Sequence, residues 1–308
     1  IFKMFKVILY WFLSACIFAP KILKAESPDI VYLNSSVLSD WSFASKKMNI
    51  KSIINIQEPI AKGYFGIRKK ILRKILKKYQ VHIITISKDN ANRINLDAKT
   101  TIIYNSISKI KFNPNYLHKE KTEINKAVLY AGGTDNHKGF FTIAKALKFI
   151  NKNIKVFFVG EINTSKRYFW QPSFKKEFKK RKLLNECKES NNIEIVGYTT
   201  NINKYISKSI ATISPFTKPH FSRLVLESYA MQTPAIGSNV TGMDEIIKDG
   251  KSGYIFLKNN AKSLATTINK ICKKPKMAKE MGKYGYNLYK KKFVNNNANK
   301  INNIFKNI

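Results

Sequence analysis

The stretch His220–Gly253, HFSRLVLESYAMQTPAIGSNVTGMDEIIKDGKSG, contains the pattern that decides how this chain folds. A polar loop comes first, and a short apolar helix that carries Glu227 follows it. A buried strand is predicted next, from Pro234 to Gly237, and then a polar loop, two acidic residues and a second glycine turn. Such an order of helix and strand is typical of a parallel α/β sheet.

The leading end of this helix is the first candidate for a binding site. The first N–H groups of a helix have no partners within it, and the helix dipole is positive there, so phosphates bind at such ends. A carboxylate one turn further in, here Glu227, can accept hydrogen bonds from a ribose diol. Together the two features predict a site for a nucleoside diphosphate.

Length and composition indicate a globular protein of two domains. The chain has 308 residues, of which 44% are hydrophobic, and a formal net charge of +37. Three interpretations of the charge stay open: a compositional excess of Lys, Asn and Ile, attraction to anionic lipids, and nucleic-acid binding. The sequence contains no RRM-like, zinc-finger or helix-turn-helix signature, so we expect no specific nucleic-acid partner.

The cysteines and histidines do not have the spacing of a metal site. Cys16, Cys187 and Cys272 lie far apart in apolar or helical surroundings. This placement predicts buried thiols in a reducing compartment, and therefore a cytoplasmic protein. The four histidines show no ligand spacing either, and we expect no metal.

The N-terminus resembles a signal peptide, with lysines followed by an apolar run from Val7 to Ala19. The run is short for a membrane span, ends at Pro20 and lacks a convincing cleavage site. Since the sequence begins with Ile, we expect that the N-terminal segment is missing and that the run is a buried helix leading into a strand at Ile30–Leu33. Secretion and a membrane anchor are the alternatives.

The first half of the chain alternates short apolar runs with helical stretches, as βαβ units do. The predicted strands are Ile30–Leu33, Ser52–Ile56, His82–Ser87 and Thr101–Tyr104. Residues 67–79 form a strongly basic amphipathic helix between the second and third of these strands. Two interpretations of this helix stay open: a sheet-covering helix with a solvated outer face, and a helix that contacts an anionic membrane.

A polar segment from Ser108 to Lys126 separates a second alternating series. Its predicted strands are Ala127–Ala131, Lys155–Val159, Ile193–Val196, Ala211–Ser214, Pro234–Gly237 and Tyr254–Leu257. We expect an incomplete acceptor-side domain at 1–122, a nucleotide-binding domain at 123–291 and a C-terminal helix at 292–308 that crosses back to the first domain. The fold class is α/β, with two doubly wound, Rossmann-like parallel-sheet domains facing each other across a ligand cleft.

The loop after the first strand of the second series supplies a second part of the candidate site. Gly132 and Gly133 permit a tight turn and close backbone approach. Lys138 and Gly139 then open a helix, which places an ammonium where it can neutralise a diphosphate. The spacing fits neither a P-loop nor a complete G-x-G-x-x-G motif.

Several segments of the second domain resemble the nucleotide-sugar-binding half of retaining GT-B glycosyltransferases of family 4, the group 1 transferases. The matching segments are Lys138–Gly139, Phe157–Glu161, Glu194–Ser209, Ser214–Phe216, Arg223–Ser238 and Asp249–Phe256. The N-terminal half resembles the family's acceptor domain more loosely, without its first strand and glycine-rich loop.

The resemblance implies a role for each matched position. Lys138 and Glu227, the two residues assigned to catalysis, correspond to the lysine that holds the diphosphate and the glutamate that binds the ribose. The other substrate-binding candidates are Gly132, Gly133, Gly139, Gly197, Tyr198, His220, Phe221, Ser222, Arg223 and Leu224. Gly197 and Tyr198 fall where the nucleobase stacks, and residues 221–224 fall where main-chain N–H groups face the phosphates or the sugar.

Two positions depart from the family pattern. Pro219 stands where the family has a sugar-binding glutamate, and Gly133 stands where an arginine assists the lysine. His220 is adjacent to the missing carboxylate, and two interpretations remain: a contact to the sugar, or an ordinary loop histidine. The departures also leave open a catalytically silent GT-B protein that binds a nucleotide sugar.

The resemblance implies metal-independent transfer of a hexose-type sugar to an acceptor hydroxyl with retention of configuration. It implies no cofactor, a nucleotide sugar as co-substrate, and a glycan or lipid-linked acceptor in cell-envelope polysaccharide or lipopolysaccharide assembly. Glu58, at the end of a predicted strand, is the candidate for an acceptor-side contact, with a structural loop carboxylate as its alternative. The expected location is the cytoplasm, peripheral on the inner face of the membrane.

Overall fold

The computed structural model describes residues 2–60, 66–79, 82–105, 107, 126–165, 168, 170–171, 173–294 and 297–308. The chain divides into two compact units, one formed by Ile1–Asn105 with Asn296–Ile308 and the other by Ser106–Asn295. Each unit is an α/β domain built on a parallel sheet. The predicted boundary at residue 122 lies outside the described residues.

The first unit contains a four-stranded parallel sheet in the order β1-β2-β3-β4. Its elements are α1 (Phe2–Leu13), α2 (Ala19–Glu26), β1 (Ile30–Leu33), α3 (Ser39–Lys47), β2 (Lys51–Ile56), α4 (Ile67–Tyr79), β3 (His82–Thr85), α5 (Lys88–Ile94), β4 (Thr100–Ile102) and, near the C-terminus, α13 (Asn297–Lys306). All four predicted strands are confirmed within two residues at each end. Their apolar runs fill the core between the sheet and its helices.

The C-terminal helix α13 packs against the sheet of the first unit. Its apolar residues cover a buried cluster on the sheet, and the ring centroids of Tyr32 and Phe305 lie 6.1 Å apart. The cluster consists of Ile53, Ile84 and Ile103, and the residues that cover it include Ile301, Ile304, Phe305 and Ile308. The last helix therefore contributes to the core of a unit whose other elements come from the first 105 residues.

The N-terminal apolar run is helical and leads into β1, but the expectation that it is buried is wrong. A π-helical turn at Ser14–Phe18 joins α1 to α2, so the helix continues past Pro20, whose missing N–H a widened turn can accommodate. Ala15, Ala19 and Leu23 are buried. The large apolar side chains on the other faces are exposed, namely Ile8, Leu9, Tyr10, Phe12, Ile17, Phe18 and Ile22. Residues 8–26 are long and apolar enough to cross a membrane by length and composition.

The second unit contains a six-stranded parallel sheet in the order β10-β9-β8-β5-β6-β7. Its elements are β5 (Ala127–Tyr130), α6 (Phe140–Ala146), β6 (Lys155–Val159), α7 (Phe174–Lys188), β7 (Ile193–Gly197), α8 (Ile202–Ser207), β8 (Ala211–Ser214), α9 (Arg223–Ala230), β9 (Ala235–Ser238), α10 (Met243–Ile246), β10 (Gly253–Phe256), α11 (Ala261–Cys272) and α12 (Pro275–Lys292). All six predicted strands are confirmed within one residue. The strand order reverses beside β5, and ligands of doubly wound sheets bind at such a switch point.

Close packing of α12 fixes the position of α9. Gly285 of α12 faces the ring of Tyr229, and a Cβ atom added to it would lie 2.5 Å from that ring. The hydroxyl of Tyr229 is 2.6 Å from Oγ of Ser252, in the turn before β10. Helix α9 is thus held from two sides, with its N-terminus at the carboxyl edge of the sheet.

Candidate functional site

The loop between β5 and α6 has a backbone that only glycine permits at two positions. Gly133 has a φ of +54°, and a Cβ atom there would overlap the main-chain carbonyl of Glu161. Gly139 has a φ of +85° and packs equally closely on the main chain of Pro215. The buried hydroxyl of Tyr130 donates a hydrogen bond of 3.0 Å to the carbonyl of Gly133. The absence of an arginine at position 133 therefore has a steric explanation, because no side chain fits this backbone.

Helix α9 begins at Arg223 and presents its first turn to a cavity. The residue before it, Ser222, makes no side-chain capping bond and instead lies 2.9 Å, oxygen to oxygen, from Ser214 at the end of β8. One turn into the helix, Glu227 is 15% exposed and accepts a bond of 2.9 Å from Nε of Arg223. The first-turn N–H groups and the carboxylate thus lie at one end of the helix.

The cavity has a volume of about 730 Å³ and lies at the carboxyl ends of β5, β6 and β8. Eight of the predicted site residues line it: Gly132, Lys138, Tyr198, His220, Ser222, Arg223, Leu224 and Glu227. The fold therefore brings the lysine of the β5 loop and the glutamate of α9 to one cavity, although they are far apart in sequence.

Five predicted site residues do not line this cavity: Gly133, Gly139, Gly197, Phe221 and Glu58. The first two shape the β5 loop. The peptide carbonyl of Gly197 accepts a bond of 2.7 Å from the N–H of Gly160. The ring of Phe221 is buried, with its centroid 5.9 Å from that of Phe293, so this side chain anchors its loop internally.

Glu58 lies in the first unit, in a hydrogen-bonded cluster between the loops that follow β1 and β2. Its Oε1 accepts bonds from the N–H of Ser36 at 2.7 Å, from Oγ of Ser35 at 2.9 Å and from Oγ of Ser36. Burial alone raises the pKa of Glu58, but the bonds from Ser36 and Ser35 outweigh it and hold the pKa below its usual value. This geometry favours a structural loop carboxylate, and the acceptor contact stays a prediction.

The ring of His220 forms part of the cavity wall. It stacks on Phe216 with centroids 3.7 Å apart and planes at 15°, and its main-chain N–H donates to the carbonyl of Thr241 at 3.0 Å. Burial and, second, the nearby Lys138 ammonium lower the pKa of His220 from 6.5 to about 4. At neutral pH His220 is therefore an uncharged, fixed side chain beside the place where Pro219 replaces the expected glutamate.

Sequence reasoning missed several polar residues of the cavity wall. Asp135, Glu161, Asn163 and Lys180 line it, from the loops after β5 and β6 and from α7. Nothing in their spacing marks them, because the contacts that bring them to the cavity are formed only in the folded sheet. Among the residues that the structure describes, no group of three or more His, Cys, Asp or Glu side chains could hold a metal ion.

The second unit is a parallel α/β domain with a cavity at its switch point. A lysine, a helix N-terminus and a carboxylate one turn into that helix line the cavity, and together they define a nucleotide-binding class of domain. Residues 115–288 match the profile of the family described as glycosyl transferases group 1. Since the match covers more than half of the chain, this protein belongs to that family.

Known proteins similar to this chain agree with the assignment. The capsular polysaccharide biosynthesis glycosyltransferase CapM of Staphylococcus aureus is 22% identical over 80% of this chain and 67% of its own length. An uncharacterized glycosyltransferase of Methanocaldococcus jannaschii is 26% identical over 68% of this chain, which spans about half (54%) of that protein.

Two solved structures have the same fold. The crystal structure of HepE from Anabaena, in complex with UDP and glucose, superimposes with a TM-score of 0.79 at 15% identity, over 94% of this chain and 81% of HepE. The lipopolysaccharide outer core galactosyltransferase WaaB superimposes with a TM-score of 0.64 at 18% identity, over 98% of this chain and 81% of WaaB. The GT-B class of fold is thereby confirmed.

Proposed function

We propose that this glycosyltransferase moves a sugar from a nucleoside diphosphate to an acceptor hydroxyl, with retention of configuration and without a metal ion or other cofactor. The observation that carries the proposal is that Lys138, the first turn of α9 and Glu227 line the same cavity. These groups supply what the donor needs: an ammonium and helix N–H groups for the diphosphate, and a carboxylate for the ribose diol.

The chemistry follows from where charge develops. When the bond between the sugar carbon and the diphosphate oxygen breaks, negative charge accumulates on the departing diphosphate. The fold positions the loop that carries Lys138 and the α9 N-terminus before the reaction, so both lie beside the cavity where they stabilise that charge. The uncharged ring of His220, close to Lys138, is available as a hydrogen-bonding group for the sugar.

We propose UDP-sugars as the first donors to test and an envelope glycan as the acceptor class. The donor choice is supported by HepE, whose crystal structures contain UDP and UDP-glucose. The acceptor class is supported by the names of CapM, a capsular polysaccharide enzyme, and WaaB, a lipopolysaccharide galactosyltransferase. A glycan or lipid-linked acceptor meets the enzyme in the cytoplasm, where free thiols such as Cys16, Cys187 and Cys272 stay reduced.

Calorimetric binding of UDP, and turnover of UDP-sugars by the purified protein, test the proposal. We expect Lys138→Ala and Glu227→Ala each to lower turnover by about 100-fold or more, because both lose charge-assisted contacts to the donor. Lys145→Ala is the matched control, since this exposed lysine lies on α6 close in sequence to Lys138. Turnover that is unaffected by both cavity variants would contradict the proposal.

A catalytically silent nucleotide-sugar binder is the second candidate, favoured by Pro219, which provides no carboxylate for the sugar. Such a protein would bind UDP and lose that binding in the Glu227→Ala variant, yet show no donor hydrolysis or transfer. Binding without turnover for the common UDP-, GDP- and ADP-sugars would therefore favour the silent protein over the enzyme.

We also propose that the first unit contacts an anionic membrane surface peripherally. Ile67 and Ile71 of α4 are more than half exposed, and Lys74 and Lys78 continue the same face at helical spacing. Leu72 and Leu76 already cover the sheet, so the exposed isoleucines are not needed for the core. An apolar stripe beside lysines matches the interface of a bilayer with anionic lipids.

The N-terminal helix α1 lies near the basic helix α4. Trp11 of α1 lies with its ring centroid 6.3 Å from Phe43 of α3, and Phe43 lies 5.3 Å from Tyr79 of α4. Helix α1, which carries part of the exposed apolar run, is thus linked through α3 to the basic helix α4. A nucleic-acid partner, the alternative for the +37 charge, does not need exposed isoleucines and would show salt-dependent RNA or DNA retention that survives competition by UDP.

A further inference from the structure

One lysine of α7 differs from its many lysine neighbours because it is buried at the cavity. Lys180 is 7% exposed and lines the same cavity as Lys138. Its ammonium lies 3.1 Å from Oε1 of Glu177 and 3.2 Å from the carbonyl oxygen of Asn163. A buried ammonium costs several kcal/mol unless it is paired, and Glu177 and Asn163 supply that pairing here.

The contacts of Lys180 fix its position relative to the β5 loop. Asn163 exchanges two hydrogen bonds with Thr134: its N–H donates to Oγ1 at 2.8 Å, and its carbonyl accepts from Oγ1 at 3.0 Å. Thr134 in turn donates its main-chain N–H to the carbonyl of Glu161 at 3.0 Å. The ammonium is therefore attached to the loop between Gly132 and Lys138, which closes one side of the cavity.

The charges of the cavity lining explain what a second lysine contributes. The lining contains three carboxylates, those of Asp135, Glu161 and Glu227. It also contains three cationic side chains, those of Lys138, Lys180 and Arg223. Without Lys180 the lining would hold more negative than positive groups, which disfavours a diphosphate. The backbone at Gly133 excludes a cationic side chain from the β5 loop at that position, and Lys180 of α7 supplies a further cation of the lining.

We propose that Lys180 is a second phosphate-binding cation of the donor site, with Glu177 as the residue that positions its ammonium. This assignment rests on the proposed function, since it assumes that the cavity binds a nucleoside diphosphate. An ammonium has three N–H donors. Glu177 and Asn163 accept two of them, which leaves one for a phosphate oxygen. The ion pair with Glu177 fixes the lysine stem, so that the charge is in place before the nucleotide arrives.

The test compares UDP with uridine, which share every contact except those to the phosphates. We expect Lys180→Met, measured by calorimetry, to raise the Kd of UDP by about tenfold or more and to change that of uridine less than about twofold. Lys180→Arg, which keeps the charge, is expected to recover part of the UDP affinity. Lys182→Met is the matched control, an exposed lysine on the same helix.

The outcomes separate a phosphate contact from support of the loop. Equal weakening of UDP and uridine by Lys180→Met would show that the lysine only holds the loop, and unchanged UDP binding would show that it makes no donor contact; either result overturns the assignment. If the wild-type protein binds neither UDP nor other nucleoside diphosphates, the proposed function itself fails. Glu177→Gln, which keeps the lysine charge but replaces its carboxylate partner with a neutral amide, is expected to weaken UDP binding less than Lys180→Met does.

Discussion

The cavity of the second unit buries polar groups, whereas the N-terminal helices and α4 of the first unit expose apolar ones. In the cavity, Lys180 and Glu227 are withdrawn from water and held by specific partners. On the first unit, Ile17 and Ile71 face solvent without covering any core. Buried polar groups need partners and exposed apolar groups need a surface to cover them, so these two kinds of group are the informative ones.

The cost of the two arrangements differs, and so does the way to test them. A polar cavity depends on steric and hydrogen-bonding detail, so small changes in its loops should abolish function. An apolar surface depends on area and charge, so single changes should weaken it gradually. Four predictions test this difference between the cavity and the apolar surface, and they are ordered from the largest expected effect to the smallest.

Introducing an arginine at Gly133, to imitate the family pattern, is expected to destroy the site. A side chain there overlaps the main chain of Glu161 at a positive φ, so we expect a loss of about 3 kcal/mol or more in unfolding free energy, and no detectable UDP binding. Denaturant unfolding and calorimetry measure both. Gly250→Arg is the control, because Gly250 also has a positive φ but no atom within 4 Å of an added Cβ. Improved UDP affinity in Gly133→Arg would contradict the steric explanation.

Removing the hydroxyl that supports the β5 loop is expected to have a smaller effect. Tyr130→Phe leaves the carbonyl of Gly133 without its buried donor, which should cost about 1–2 kcal/mol of unfolding free energy. The ring packing against Phe158 is kept, so loss of core volume does not contribute. Chemical denaturation of the two proteins measures the difference. A variant as stable as the wild type would show that the loop does not depend on this bond.

The membrane proposal predicts a graded loss. Ile67→Ser combined with Ile71→Ser should weaken binding to vesicles of phosphatidylserine and phosphatidylcholine by about tenfold, because apolar area no longer enters the interface. Vesicle co-sedimentation at low and high salt measures this loss and the lysine contribution. Leu257→Ser, at an exposed apolar position of the second unit, is the control. Equal binding of all three proteins would show that α4 does not contact the lipid.

The smallest effect concerns the pH dependence of His220. Its pKa is about 4 in the folded protein and near 6.5 when unfolded, so the unfolded state binds more protons between these values. The part of the unfolding free energy that depends on a neutral His220 ring is therefore fully present above pH 6.5 and is lost as the pH falls towards 4. Relative to His220→Gln, we expect the wild type to lose about 1 kcal/mol between pH 7 and 5.5. A pH-independent difference would mean that the ring titrates normally.

The strands and most helices could be predicted from the sequence because long apolar runs with turn residues between them determine a parallel sheet. All ten strands lie where the pattern places them. The apolar N-terminal run was predicted as a buried helix, and here the pattern misled. Hydrophobicity predicts that a helix will avoid water, but only the neighbouring elements decide which side chains they cover.

The site could be predicted only where a residue type has a local signature. Lys138 and Glu227 were found from their positions at a strand-end turn and near a helix N-terminus. Lys180 was not, because it lies among six other basic residues of α7 and only its tertiary contacts distinguish it. Gly133 was noticed as a departure, but the reason for it, the main chain of Glu161, lies in a loop 28 positions further along the chain.

The return of α13 to the first unit has a consequence for synthesis on the ribosome. The residues that cover the apolar cluster of Ile53, Ile84 and Ile103 lie at 301–308, about 200 positions after Ile103, and are synthesised that much later. At 5–20 residues per second, about 10–40 s pass between the synthesis of the cluster and the synthesis of the residues that cover it. The first unit is thus begun before the second and completed after it, and a nascent chain would expose this surface to chaperones until α13 emerges.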